Sequence, residues 1–260
     1  MTVNIDETVR EREAWLERNV EQERIRILTD FMNDATHDLR TPLSVIHTNL
    51  YLMEKLTDPE KIRVRRDMLK SSISQLEQML QSMFIMARLD QLPRFVSNRV
   101  AVRALVEDLL LEIGNMAFDK QVEFTYELAS DLPDIEGHSS ELQLALYHIA
   151  RNAVQHTPGG GSIRLTARAQ DGQVIIEISD TGEGIPEEHL PRIFERFYRV
   201  DKARTLIGSR NGMGLAIARK VIEKHAGEIA VHSEVGKGTV FTVTLPGVPR
   251  SIEDGEHLPA

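Results

Sequence analysis

The sequence has no cysteine, and none of its 16 glycines falls before Gly114. The first absence removes disulfides, thiolate zinc sites and cysteine nucleophiles, and it fits a reducing compartment. No apolar run approaches the roughly 18 residues that a membrane span needs, and the opening MTVNIDETVREREAW is too charged for a signal peptide. A basic excess is also missing. With 31 Lys+Arg against 40 Asp+Glu the formal charge is -9, which argues against a general nucleic-acid or anionic-membrane binder. At 260 residues and roughly 150 per domain, the chain suits one large or two modest domains. The glycine asymmetry divides it.

Residues 1–92 read as helix, with only Pro42 and Pro59 as breakers and an abundance of Glu, Arg, Leu and Met. Leu69, Ile73, Leu76, Leu80, Met83 and Ala87 form an unbroken heptad seam. Leu28, Met32, Ala35, Leu39, Leu43, Ile46, Leu50 and Met53 form a second seam, with a stutter that contains Pro42. Thr57-Asp58-Pro59 marks a turn and a fresh helix start. Two such helices make a hairpin whose apolar stripes need a second hairpin, so the spacing predicts a homodimeric four-helix bundle. A monomeric hairpin packed on its own second domain is the alternative. Upstream, Val9, Leu16, Val20 and Ile27 form a weak heptad interrupted by Glu13 and Glu23, as in a marginal coiled-coil connector.

After Leu92-Pro93 the pattern changes. Strands are expected at 121–128, 162–169, 173–179 and 238–245, with helices at about 103–118, 140–155 and 213–226. That interleaving indicates an α+β fold, a two-layer sandwich. The expected organisation is a connector at 1–27, a hairpin domain at 28–92, an α+β domain at 93–247 and a flexible tail at 248–260.

Gly-X-Gly occurs at Gly182, Gly212 and Gly236, and none completes a dinucleotide fingerprint or a Walker loop. Position makes two of these more than turns. Asp180-Thr181-Gly182-Glu183-Gly184 follows a strand, where a carboxylate beside glycines suits an exocyclic amine such as adenine N6. Gly212-Met213-Gly214 opens a helix, and backbone amides there attract phosphate. Arg196, Arg199, Lys202, Arg204 and Arg210 lie between the loops as a candidate lid over an anion. Asn152, unfavourable in mid-helix, is a candidate Mg²⁺ ligand. His37 lies two residues from both Ala35 and Leu39, so it points away from the buried stripe. Asp38 is placed to orient the His37 ring and take its proton, and Thr41 shares its face one turn on.

In order along the chain, these pieces resemble the catalytic core of a sensor histidine kinase over residues 28–246. His37-Asp38-Leu39-Arg40-Thr41-Pro42 resembles the family's phosphoacceptor motif, and His148 to Thr157 its asparagine box. Asp180 to Pro186 and Gly212-Met213-Gly214-Leu215 are similar to its two glycine boxes. Arg192 to Arg199 is similar to its phenylalanine box, and Lys237 to Phe241 to its closing box. The resemblance implies a Bergerat-type ATP-binding domain, with ATP and Mg²⁺ as cofactors. It assigns Asp180 to adenine N6 and Asn152 to Mg²⁺. His156, Gly182, Gly184, Gly212, Gly214 and Leu215 fall to the nucleotide pocket, Arg199 to the phosphates, and Thr239 to the adenine end. It implies phosphoryl transfer to His37, then to an aspartate of a response-regulator receiver domain, with Thr41 serving dephosphorylation. A hinge near Leu92–Asn98 would let the ATP domain swing, and the protein is expected to be cytoplasmic, with room for a sensor upstream.

The sequence also departs from the family pattern. His148 stands at a usual Asn, Gln155 at a usual basic residue and His156 at a usual aromatic. His138 stands at a usual Asp, and Ser209-Arg210 at a usual glycine pair. These departures support an alternative: a catalytically weak ATP-binding scaffold, or a phosphatase-biased regulator of the same architecture.

Overall fold

The structure, a computed structural model, describes residues 5–91, 98–200 and 212–248, with side chains before Phe31 described only in part. It comprises two compact units, Met1–Met79 and Leu80–Ala260. The expected tail from 249 on, residues 92–97 of the expected hinge, Lys202, Arg204, Ser209 and Arg210 lie outside the described residues. So do the side chains of Val9, Glu13, Leu16, Val20, Glu23, Ile27 and Leu28.

Helix α1 (Ile5–Lys55) runs unbroken through Pro42, and α2 (Pro59–Gln91) follows the expected turn. Asp58 starts α2 as its cap. Its Oδ1 accepts the Glu60 N–H at 3.0 Å, and Pro59, which lacks an N–H, occupies the first helical position. The buried positions of the first unit are small or polar: Ala35, Pro42, Asn49 and Ser72, joined by Met79. Arg65 Nη1 donates to Asn49 Oδ1 at 3.2 Å, and Asn49 Nδ2 donates to Val45 O at 2.8 Å. The large apolar side chains of the predicted seams behave differently. Met32, Leu43 and Leu50 of α1, and Ile73 and Leu80 of α2, are exposed, whereas Leu39, Ile46, Met53, Leu69, Leu76 and Met83 are half-buried. Each seam therefore has an inner and an outer edge, and one chain covers only the inner.

The second unit begins inside α2, because Met86 and Leu89 are fully buried there. Arg88 pairs with the buried Glu141, and Asp90 pairs with Arg196 at 2.7 Å and Lys220 at 3.4 Å. Its sheet runs β1 (Asn98–Val100), β3 (Asp134–Gly137), β7 (Gly238–Val248), β5 (Gln173–Asp180), β4 (Ser162–Gln170), β2 (Glu123–Leu128), and β6 (Glu228–Glu234) pairs with the first part of β7. Only β2 and β4 are parallel; the other pairings are antiparallel. Helices α3 (Val102–Asp119), α4 (Ser139–His156) and α5 (Gly214–Lys224) supply the second layer. Alternation on the strands makes the interface: Ile163, Leu165, Val174, Ile176, Ile178, Phe241 and Val243 are buried with Leu146, Ile149, Ile217 and Val221 of the helices. The opposite face carries charge, including Arg164 with Glu127 at 2.6 Å and Arg168 with Glu177 at 2.9 Å. The four expected strands and three expected helices are present to within two or three residues; β1, β3 and β6 were not anticipated.

Candidate nucleotide site and phosphoacceptor histidine

His37 and the glycine loops belong to different units. On α1 the His37 side chain is 79% exposed, and Asp38 Oδ1 lies 3.1 Å from its Nδ1. A proton on Nδ1, donated to the carboxylate, would leave the lone pair on Nε2 of this exposed ring. Thr41, one turn on, is exposed as well.

In the second unit Asp180 ends β5 and is only 7% exposed. Burial pushes its carboxyl pKa up, while N–H groups from Gly182 (2.9 Å) and Thr239 (3.2 Å) to Oδ1 oppose that shift. Both donors engage one oxygen, and Oδ2 is left as an acceptor. Strand register explains the meeting, since Asp180 pairs with Thr239 across β5 and β7. Ser233 braces the same corner. Its Oγ accepts the Ile185 N–H at 2.8 Å, donates to Gly238 O at 2.9 Å and lies 2.9 Å from Thr239 Oγ1. Sequence reasoning missed Ser233; its signal was the weak Ile229–Val231 alternation of β6.

The loops need their glycines because other backbone lies against them. A Cβ on Gly182 would sit 2.6 Å from His156 O, and one on Gly184, at φ +71°, would overlap Glu234 O. Gly212, at φ +62°, lies against the backbone of Phe197. These contacts bring the first loop to the end of α4, where His156 Nδ1 meets Glu183 Oε1 at 2.6 Å. Lys120 Nζ caps that end by donating to Val154 O and Gln155 O. The second loop opens α5, with Met213 buried before it and Leu215 half-buried in its first turn.

Helix α4 joins the two loops. His148, Asn152 and His156 follow at intervals of four, so they share one face over about 12 Å at 1.5 Å per residue. His156 meets the first loop, and His148 meets the second: a Cβ on Gly214 would lie 3.0 Å from His148 Nδ1. Burial and the Arg151 charge lower the His148 pKa to about 4, so the ring is neutral. Its Nε2 is buried and makes no hydrogen bond. The candidate lid is altered: Arg196 pairs with Asp90 instead of standing free over an anion, because the end of α2 packs within this unit. Arg199 is half-buried, and among the described residues no hydrogen bond or ion pair ties it to either loop.

In the second unit, a buried carboxylate at one end, amide-rich glycine turns at both and an Asn between them are the groups that suit a purine nucleotide on an α+β sandwich; the first unit is a helical hairpin that displays a histidine. Comparison with known proteins agrees. Residues 27–92 match the His Kinase A (phospho-acceptor) domain, and residues 137–249 match the histidine kinase-, DNA gyrase B- and HSP90-like ATPase. The chain belongs to the sensor histidine kinase family. It is 30% identical over 239 residues to the sensor protein SrrB of Staphylococcus aureus, covering 90% of this chain but 40% of that protein. Among solved structures, full-length ShkA in complex with AMPPNP is 27% identical, with TM-score 0.62 over 83% of this chain and 45% of that one. A mycobacterial sensor histidine kinase, MprB, is 29% identical, with TM-score 0.52 over 60% of this chain and all of that one. ThkA in complex with the response regulator TrrA shares the fold at 21% identity and TM-score 0.73, over 91% of this chain and 66% of that one.

Proposed function

We propose that the chain is the catalytic core of an ATP-dependent autokinase that phosphorylates His37 and passes the phosphoryl group to an aspartate of a response-regulator receiver domain. The observation that carries this reading is His37, exposed with its Nδ1 held by Asp38. Nε2 attacks the γ-phosphorus, the bond to the β,γ-bridging oxygen breaks, ADP leaves, and Asp38 takes the Nδ1 proton as the ring becomes cationic. Asp180 Oδ2 accepts the adenine N6–H, the amides around Gly212 and Gly214 and the Arg199 guanidinium face the phosphates, and Thr239 and Ser233 hold Asp180 in place. A divalent cation, expected as Mg²⁺ at Asn152, would neutralise phosphate charge. Thr41 positions water for dephosphorylation of the regulator. Residues 28–92 act as the phosphoacceptor domain of a homodimer and 93–247 as the ATP domain, in the cytoplasm. Among the described residues no helix is long and apolar enough to cross a membrane.

Incubation with γ-labelled ATP and a divalent cation tests the reading. Acid-labile, alkali-stable label that is lost in His37→Gln supports it. No label at any ATP concentration, with ATP still bound, would favour the scaffold reading that Gln155 and His148 motivate. Label passed to receiver domains, and its slower removal in Thr41→Ala, tests the partner and the Thr41 role.

A further inference from the structure

His148 is the one side chain of the α4 face whose chemistry the nucleotide reading leaves unused. Its imidazole lies between α4 and the amino end of α5, close enough to Gly214 that a Cβ there would crowd Nδ1. Nε2 is buried without a hydrogen-bond partner. Such an atom costs free energy unless a ligand completes it. Asn152, whose amide oxygen is a candidate cation ligand, lies one turn away on the same face. Among the described residues no cluster of three His, Cys, Asp or Glu side chains could hold a metal ion unaided. A cation here therefore draws the rest of its shell from nucleotide phosphates and water.

We propose that His148 Nε2 ligates the divalent cation that enters with the nucleotide, beside the Asn152 amide oxygen, and that this chain consequently prefers Mn²⁺ to Mg²⁺. The inference rests on the nucleotide reading of the site. Mg²⁺ takes a hard, all-oxygen octahedral shell and gives up water reluctantly. Imidazole suits first-row transition ions, for which a nitrogen donor raises affinity. An Asn at 148 would offer only a second amide oxygen and restore a shell that Mg²⁺ fills equally well.

The test combines Mn²⁺ with the non-hydrolysable analogue AMPPNP and the full chain. Competition between Mn²⁺ and Mg²⁺, followed by the spin-resonance signal of free Mn²⁺, should show at least tenfold tighter Mn²⁺ binding. His148→Asn should cut that ratio several-fold. Pulsed spin resonance on ¹⁵N-labelled protein with unlabelled nucleotide should reveal a directly bound protein nitrogen in the wild type, and the coupling should vanish in His148→Asn. Bound nucleotide and Mn²⁺ without ¹⁵N coupling in the wild type would overturn the His148 assignment and leave the nucleotide reading intact; the wild-type spectrum decides this even if the variant misfolds. An unchanged Mn²⁺/Mg²⁺ ratio in a folded His148→Asn variant would do the same. Failure of AMPPNP to bind with either cation would overturn the nucleotide reading, and this inference with it.

Discussion

Asp180 shows how a single side chain divides its two oxygens between fold and ligand. Oδ1 holds the Gly182 and Thr239 amides, which fixes the carboxylate plane. Oδ2 takes neither donor, and in the proposed nucleotide reading it is the acceptor, complementary to an adenine amino group and repelled by the carbonyl of guanine. In Asp180→Asn the amide oxygen can keep the two backbone donors, but the NH₂ then points at adenine N6, donor against donor. Losing a charged hydrogen bond of about 1.5–3 kcal/mol should weaken ATP binding roughly ten- to hundredfold by calorimetry. The same NH₂ suits guanine O6, so the GTP/ATP affinity ratio should rise. Equal losses for both nucleotides would argue that Asp180 acts only through the loop.

At the scale of elements, the β6–β7 turn offers a controlled contrast between two glycines. Gly236, at φ +79°, has open space where a Cβ would be, whereas a Cβ on Gly238, at φ +112°, would enter the backbone of Asp180. Gly236→Ala should cost only the left-handed backbone penalty of about 1–2 kcal/mol. Gly238→Ala should cost more than about 3 kcal/mol, since strand β5 itself must move. Urea midpoints measure both, and similar values would contradict the turn geometry.

The seam between α4 and α5 has its own titration. His225 Nδ1–H donates to Val221 O at 2.7 Å, and Nε2 accepts the His138 N–H at 3.0 Å, which requires a neutral ring. Burial lowers its pKa. The Val221 carbonyl and then the Glu141 charge oppose that shift, and His138 adds to it. The unfolded histidine binds its proton near pH 6.5 while the folded one does not, so stability is full above that value and falls as pH drops below it. Unfolding curves at successive pH values should show that decline, and His225→Gln should flatten it.

Legibility followed the length and periodicity of each element. The strands at 162–169, 173–179 and 238–245 carried enough apolar residues to be read. By contrast β1 has three residues, β3 four, and β6 only Ile229 and Val231 as large apolar anchors. Asp180 and the glycines were legible because strand–loop and loop–helix junctions are local features. Ser233, the Arg88–Glu141 pair and the Asp90–Arg196 pair depend on contacts across tens of residues, which no local spacing encodes. The lid expectation failed for Arg196 for that reason.

The whole molecule poses a packing problem that one chain leaves unsolved. The first unit buries Ala35, Pro42, Asn49 and Ser72 while Met32, Leu43, Leu50 and Ile73 remain exposed, the inverse of what a self-sufficient hairpin would do. The buried Asn49–Arg65 hydrogen bond fixes helix register more than it stabilises, since a polar pair gains little by burial. In a homodimer this exposed apolar edge of the first unit would supply the association energy. Met32, Leu43, Leu50 and Ile73 are each about half exposed, so each gains roughly half of the about 1.5–3 kcal/mol that full burial gives, and two chains' worth is comparable to the cost of bringing them together. Light scattering at micromolar concentration should therefore give twice the chain mass. Leu50→Glu, which places a charge in the middle of that edge, should give a monomer with reduced helical content and unchanged nucleotide affinity, because the nucleotide residues all lie in the second unit. A wild-type monomer, or a Leu50→Glu variant that stays dimeric, would show that the exposed edge is covered by something other than a second copy.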